Sequence, residues 1–454
     1  MARSISALVV VAALAAPVAA DDLTLTIDQA IARVDPAAET LTAAREDLAR
    51  ARDQIDVAKS ARLPQVNATA TIQHTFISEF QGGKITFPCA PEPCTPLVID
   101  IPIGQKDIWR AGVNVSQSIY DGGRTRHAIA LARAGVAATE AGISGQRAAL
   151  VFTVAQAYWD AALAVRAVEI GQAALTSAEE TLAQTQLAFS HQAAAEFDVV
   201  RAQVARDNQA TGLIQLAAQR DIAMVALARL IDAPLDRPIT LATALEGDDA
   251  PAVTAAARAG AALVDGQAAV AVTQVQLAIQ AKEAAVKLAA AERLPIVSAT
   301  TDFGVVDYPE DLHPFNTDWR SSWSVTLAVS VPIFDGFRRR ATTRAARREV
   351  AAARARLIDV QEQVAVEARV VDAQLAAATA TWEQARRTVE QAQRAYAIAE
   401  LRFAQGASTH LELVDARTQL EQAALNRARS ARDVRVATLR RDLQAGLPLG
   451  AGGP

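Results

Sequence analysis

From Ser322 to Arg344 the chain reads SWSVTLAVSVPIFDGFRRRATTR, and two periods meet inside it. Trp323, Val325, Leu327, Val329 and Val331 alternate with Ser322, Ser324, Thr326 and Ser330. That is the period of two of a strand with one apolar and one polar face. The Asp335-Gly336 turn signal ends the alternation, and residues 337–405 then contain neither proline nor glycine. Such a run predicts one helix of roughly 100 Å at 1.5 Å per residue, far beyond the usual three or four turns.

The same passage occurs earlier in the chain. Val115-Ser116 and Ile119-Tyr120-Asp121-Gly122 match Val329-Ser330 and Ile333-Phe334-Asp335-Gly336. Phe189, with Asp198 nine residues on, matches Phe403 with Glu412 nine residues on. Both matches share an offset of 214 residues. Leu63-Pro64-Gln65-Val66 matches Leu294-Pro295-Ile296-Val297 at an offset of 231, so the first copy carries 17 additional residues in between. Widely spaced landmarks with a common offset predict an internal duplication. The layout is then a first repeat over 21–230, a linker over 231–253 rich in proline and glycine, a second repeat over 254–446 and a tail over 447–454. Each repeat runs helix, two strands, long helix, shorter helix. The helices are expected near residues 25–62, 123–188 and 198–230, then 254–293, 337–405 and 411–445. In the first long helix Val151, Val154, Tyr158, Ala161, Val165 and Val168 alternate spacings of three and four, a coiled-coil seam that needs neighbours to cover it.

Three further alternating stretches accompany the opening one. Val66, Ala68, Ala70, Ile72 and Phe76 form one apolar file, Trp109 to Ile119 a second, and Val297 to Val305 a third. Their lengths suit a membrane-crossing strand of about 9–11 residues. Twelve of the 20 aromatic residues fall in residues 65–121 and 296–337, many near strand ends, as in the aromatic girdles of a lipid-facing barrel. Four strands cannot close a barrel, and an open edge is not tolerated in lipid. Closure therefore needs several copies: eight strands from two, twelve from three, of which twelve gives the wider lumen.

Composition narrows the function. Aromatics make up only 4% of the chain while hydrophobic residues reach 51%, much of it alanine, which favours closely packed helices. A net charge of -5 gives no reason to expect a nucleic-acid partner. Arg3, the apolar run Leu8–Ala16 and the small residues Pro17–Ala20 read as a signal peptide over residues 1–20. No cysteine near the expected cleavage site suggests a lipid anchor, and after the leader no run of 18 uninterrupted apolar residues predicts a transmembrane helix. The two cysteines, Cys89 and Cys94, flank a proline-rich loop and could form a disulfide ring after export. His74, His127, His191, His313 and His410 are scattered, without metal-ligand spacing, and no nucleophile elbow, phosphate loop or dinucleotide fingerprint occurs. No enzyme, cofactor or metal site is expected.

These landmarks together resemble the TolC-like outer membrane efflux proteins, over residues 22 to about 446. The resemblance rests on the duplicated Leu-Pro-x-Val marks, the Tyr/Phe-Asp-Gly marks and the turn Arg402-Phe403-x-x-Gly406 with Glu412 and Asp415 following. It implies a mainly α fold with membrane β: a homotrimer with a twelve-stranded β-barrel, four strands per protomer, joined to a long α-helical barrel in the periplasm. It implies an equatorial segment over 231–253 and extracellular loops near 78–107 and 307–318. The implied partners are outer-membrane lipid, a periplasmic adaptor (membrane fusion) protein and an inner-membrane pump or ATP-driven exporter. The implied function is the exit duct of a tripartite efflux or type I secretion system, for small molecules or proteins. Carried over by position, Asp198, Glu412 and Asp415 would form acidic rings at the periplasmic gate. Phe189, Arg402, Phe403 and Gly406 would form the tip turns that meet the adaptor. Asp198 and Glu412 equally suit helix capping, where a carboxylate is favourable. Two residues depart from the pattern: Gln192 stands where its counterpart turn has Gly406, and Ser408 where some members carry a basic gate residue. The competing reading is a periplasmic coiled-coil adaptor or scaffold, which would share the seams but lack the strands.

Overall fold

The computed structural model describes residues 23–34, 39–77, 83–88, 95–101, 106–235, 237–246, 269–309 and 319–450. The expected leader over 1–20, Cys89 and Cys94 lie outside them. The chain divides into two compact units, one of Met1–Ala43, Ile143–Ala271 and Glu362–Pro454, the other of Ala44–Gly142 and Val272–Gln361.

The second unit is built on a four-stranded antiparallel sheet. Its strands are β2 (Gln65–His74), β5 (Asp107–Tyr120), β7 (Ile296–Asp307) and β8 (Arg320–Ser330), in the order β2-β5-β7-β8. These are the four alternating stretches. Their register lines up rows across all four strands. Ala68, Val113, Phe303 and Trp323 form one row, and Val66, Val115, Thr301 and Val325 the next. On the opposite face Asn67, Asn114, Asp302 and Ser324 form a row, followed by Gln65, Ser116, Thr300 and Thr326. Alternation in each strand thus becomes one apolar and one polar face of the whole sheet. The Asn114 amide donates to Asp302 on the polar face, and Trp323 Nε1 donates to Thr301 Oγ1 at 2.9 Å on the other. Gly112 lies opposite Gly304. A Cβ at Gly112 would stand 3.0 Å from the Phe303 carbonyl oxygen, so glycine there permits a close approach of the two backbones.

Among the described residues nothing packs on the apolar face. Val66, Ile72, Trp323, Val325, Leu327 and Val329 are all exposed. Among the described residues no strand pairs with the outer edge of β2 or of β8. A short hairpin, β3 (Gly83–Phe87) with β4 (Leu97–Ile101), stands in the interval read from sequence as loop 78–107. Helices α2 (Glu39–Ser60), α5 (Val270–Ala291) and the first parts of α3 (Arg124–Ser190) and α6 (Arg338–Ala404) complete the unit. Surface ion pairs join them: Arg52 with Glu140 at 3.0 Å, Lys282 with Glu349 at 2.9 Å and Arg354 with Glu283 at 2.7 Å.

The first unit holds the main core. It contains β1 (Leu23–Leu25), α1 (Ile27–Ala32), α4 (Glu196–Leu230), β6 (Ile239–Leu241), α7 (His410–Leu443) and the remainder of α3 and α6. The expected helix over 25–62 is instead β1, α1 and α2. Thr26 caps α1 through a reciprocal bond with Gln29. The core is alanine-rich: Ala148, Ala155, Ala161, Ala228, Ala428 and Ala431 pack around Tyr158, Leu227, Ile231 and Leu443. Small side chains at the seams let helices approach, while each contributes little apolar area, so length substitutes for bulk. Helix α3 is apolar enough to cross a membrane by composition, yet half of that window is buried in the fold, as suits a core helix.

The linker is pinned here. β6 pairs in parallel with β1, from Leu23 opposite Ile239 to Leu25 opposite Leu241. Tyr158, fully buried, donates from its hydroxyl to the Leu25 carbonyl at 3.0 Å and accepts from the Thr243 amide at 3.1 Å. Glu246 accepts from Arg166 at 3.2 Å and Arg427 at 2.7 Å, tying the end of the linker to α3 and α7. We predict that Tyr158→Phe, which strands both backbone groups without emptying the ring site, destabilises the protein by about 1–3 kcal/mol. Equilibrium unfolding of the two proteins checks it; equal stability would mean that the pin is not needed.

Candidate functional site

Two helical hairpins end in the residues singled out from sequence, and their backbones match bond for bond. At the first, the Gln192 amide donates to the Phe189 carbonyl at 2.9 Å and the Ala193 amide to Ala188 at 2.8 Å. At the second, Gly406 donates to Phe403 at 2.9 Å and Ala407 to Arg402 at 2.8 Å. This pair of bonds is the Schellman closure of a helix C-terminus, which requires one residue in the left-handed region. Gly406 takes it at φ 68° and Gln192 at φ 60°. The missing glycine therefore does not change the turn; Gln192 adopts the conformation at a cost of about 1–2 kcal/mol.

The helices that follow open alike. Asp198 and Glu412 both occupy the third position, Asp198 accepting from the Ala195 amide at 3.2 Å. Thr409 caps α7 by accepting from the Glu412 amide at 3.3 Å. Ala195 has no side chain to do this, so the first turn relies on Asp198 alone. Within the chain the three expected gate carboxylates have separate partners. Glu412 lies 3.8 Å from Arg402, and Asp415 accepts from Gln419 at 2.7 Å. Arg402 also donates to the Ala407 carbonyl at 3.3 Å, so it braces the turn. The Arg402–Glu412 pair is half exposed and contributes little stability by itself.

Phe403 meets the ring of His410 edge-on at a centroid distance of 6.0 Å. The sequence offers no metal-ligand spacing around this histidine, but it is only 6% exposed and neither ring nitrogen has a hydrogen-bond partner among the described residues. Burial, then Arg201 and Arg417, push its pKa down from the ordinary 6.5, against the weaker opposite effect of Asp198. Arg417 is equally buried, and burial lowers its pKa as well, partly offset by Tyr396 and Glu421. The legible signal was spacing: His410, Leu413 and Arg417 lie three and four apart, on the face of α7 that is buried. Around both turns large apolar side chains are uncovered, namely Leu187, Phe197 and Val200 at the first and Ile398, Leu401 and Leu411 at the second.

Two outcomes follow. Gln192→Gly should raise stability and Gly406→Gln lower it, each by about 1 kcal/mol, in matched unfolding curves. For His410 the folded pKa lies below that of the unfolded chain, so the unfolded form takes the proton more readily. The stability that a neutral His410 contributes is then full above the ordinary 6.5 and declines as pH falls below it. Amide exchange in the first turns of α7, corrected for intrinsic rates, should accelerate from pH 7.5 to 5 in the wild type and much less in His410→Leu; identical profiles would refute the assignment.

The comparisons fit this arrangement. The family model of outer membrane efflux proteins matches residues 27–232 and 266–443. Among solved structures, the Campylobacter jejuni CmeC outer membrane channel is similar at TM-score 0.72 and 17% identity, covering 93% of this chain and 86% of that one. The Vibrio cholerae outer membrane protein VceC gives TM-score 0.68 and 20% identity over 92% and 96% of the two chains. The open state of the Neisseria gonorrhoeae MtrE outer membrane channel gives 0.65 and 18% over 93% and 89%. A search of curated proteins finds no match. Matched over most of its length, the chain belongs to the outer membrane efflux protein family, whose members are channels of the outer membrane and not enzymes.

Proposed function

We propose that three copies of this chain close a twelve-stranded barrel in the outer membrane above a tunnel of helices. The duct carries cargo outward from an inner-membrane pump or ATP-driven exporter through a periplasmic adaptor. The observation that carries this reading is the sheet β2-β5-β7-β8, whose outer edges have no strand partner among the described residues and whose one face is mainly apolar and exposed. In lipid each unpaired backbone group is costly, so β2 of one copy must pair with β8 of another. The polar face, with its rows of Asn, Asp, Ser and Thr, then lines the lumen. Small molecules and proteins can both pass such a conduit.

The duplication belongs to the same proposal. It is supported by turns matched at an offset of 214 residues, Gly123 with Phe337 and Gln192 with Gly406, each pair sharing a left-handed conformation. The uncovered apolar residues at the hairpin turns, Phe189 among them, supply the adaptor's docking surface. The carboxylates Asp198, Glu412 and Asp415, repeated three times around an axis, would favour cations at the tunnel's mouth. The adaptor or scaffold reading falls with the family.

The detergent-solubilised particle should weigh three protomers and conduct ions in planar bilayers. A monomeric particle that never conducts would refute the duct. Asp198→Ala with Asp415→Ala should lower the cation preference of that conductance; unchanged selectivity would remove the acidic gate and leave the duct intact.

A further inference from the structure

The start of α6 breaks two rules of helix electrostatics at once. Its first eleven residues, Arg338 to Arg348, include six arginines and no acid. The N-terminus of a helix carries partial positive charge, so cations there are unfavourable. Arg340, Arg344 and Arg348 also stand four apart, where like charges face each other on one stripe and repel. The chain answers little of this charge. Asp335 accepts from the Arg339 backbone amide at 3.1 Å and pairs with its guanidinium at 3.3 Å, while Arg338 lies 3.5 Å from Glu292. Arg340, Arg344, Arg347 and Arg348 are exposed and have no ion-pair partner among the described residues.

An apolar group precedes the arginines directly. Ile333, Phe334 and Phe337 are 94%, 74% and 60% exposed. The two rings stack edge-to-face at 5.4 Å, and the Arg340 guanidinium lies 5.8 Å over Phe337. Phe337 holds a left-handed backbone, φ 66°, at the position where the first copy has Gly123. A bulky residue there is strained, yet its ring is turned outward rather than used in the core. Exposed aromatics followed by a stripe of unanswered arginines, just past the end of β8, match the two layers of a membrane interface: acyl boundary, then phosphate.

We infer that this patch binds the headgroups of anionic glycerophospholipids in the inner leaflet, with Phe334 and Phe337 seated in the acyl boundary and Arg340, Arg344, Arg347 and Arg348 on the phosphates. The inference rests on the barrel reading, since it requires the end of β8 to lie at the periplasmic surface of the membrane. Phosphate oxygens accept the guanidinium hydrogen bonds and relieve both the repulsion along the stripe and its clash with the helix dipole. Each arginine near an anionic surface multiplies lipid retention roughly fivefold at low salt.

The full chain, reconstituted in nanodiscs of equal phosphatidylglycerol and phosphatidylcholine and re-extracted, should retain phosphatidylglycerol at least tenfold over phosphatidylcholine at low salt, with mass spectrometry of the particle as the readout. One molar salt should abolish the preference. The variant R340Q/R344Q/R347Q/R348Q should lose it while keeping its oligomeric mass and conductance. Phe337→Gly should melt no lower than wild type, because the strain is relieved, and still retain less lipid. A conducting wild type without lipid preference, or a fourfold variant that keeps the preference, overturns the inference and spares the duct. A fourfold variant that falls to monomers while the wild type shows no preference assigns the arginines to a neighbouring copy instead, and also overturns it. A wild type that never inserts or conducts overturns both.

Discussion

The sheet's design turns on the backbone along the outer edges of β2 and β8, which no strand among the described residues pairs. A sheet edge is a row of donors and acceptors, and water can satisfy it, but a hydrocarbon layer cannot. The chain removes every reason for this sheet to stay in water. One face is mainly apolar from Val66 across to Val329, and none of the described residues covers it. The proposed barrel answers both demands together: further copies of the same sheet pair the edges, and lipid covers the apolar face. The facing glycines Gly112 and Gly304 serve the same end, because two backbones brought close on one face let a sheet curl.

The helical parts solve a different problem with the same economy of residue types. Alanine seams pack tightly but bury little area per residue, so the first unit adds a few polar fasteners to fix the register of its long helices. Tyr158 holds β1 and the linker onto α3 through two backbone bonds. Glu246 bridges Arg166 and Arg427 while mostly buried, where losing one partner would leave an uncompensated charge. On the buried face of α7 His410 and Arg417 are the opposite case: among the described residues neither His410 ring nitrogen nor Arg417 Nε has a hydrogen-bond partner. Apolar residues of similar shape there would pack at lower cost.

Much of this was readable in the sequence because it is local. Period-two alternation with seryl and threonyl partners marks β2, β5, β7 and β8, and the absence of proline and glycine marks α6 to within a residue at each end. What was missed depends on contacts far apart in the chain. β1 and β6 have three residues each and pair across more than two hundred positions, so neither carries a usable pattern. The hairpin β3–β4 lies in an interval dominated by its proline-rich loop. At the hairpin turns the residues were legible but not their roles: Gln192 looked like a departure, yet the Schellman bonds hold it in glycine's conformation. The spacing of His410, Leu413 and Arg417 puts them on one face of α7, but that this face is the buried one depends on how the other helices meet it.

The charges at the starts of the four longest helices sort by place. α4 and α7 obey the helix dipole, opening with Glu196 and Asp198 and with Glu412. α3 and α6 oppose it, opening with arginine and no acid in the first turn. Propensity cannot account for the difference, because arginine and glutamate are nearly equal helix formers. Local capping does not account for it either: Asp121 and Asp335 already accept the first amides of α3 and α6 and would tolerate neutral residues behind them. What distinguishes the pairs is what precedes each helix. α4 and α7 follow hairpin turns between helices, in water. α3 and α6 instead follow the sheet strands β5 and β8, and on the inference drawn above phospholipid phosphates supply the negative charge that the start of α6 lacks.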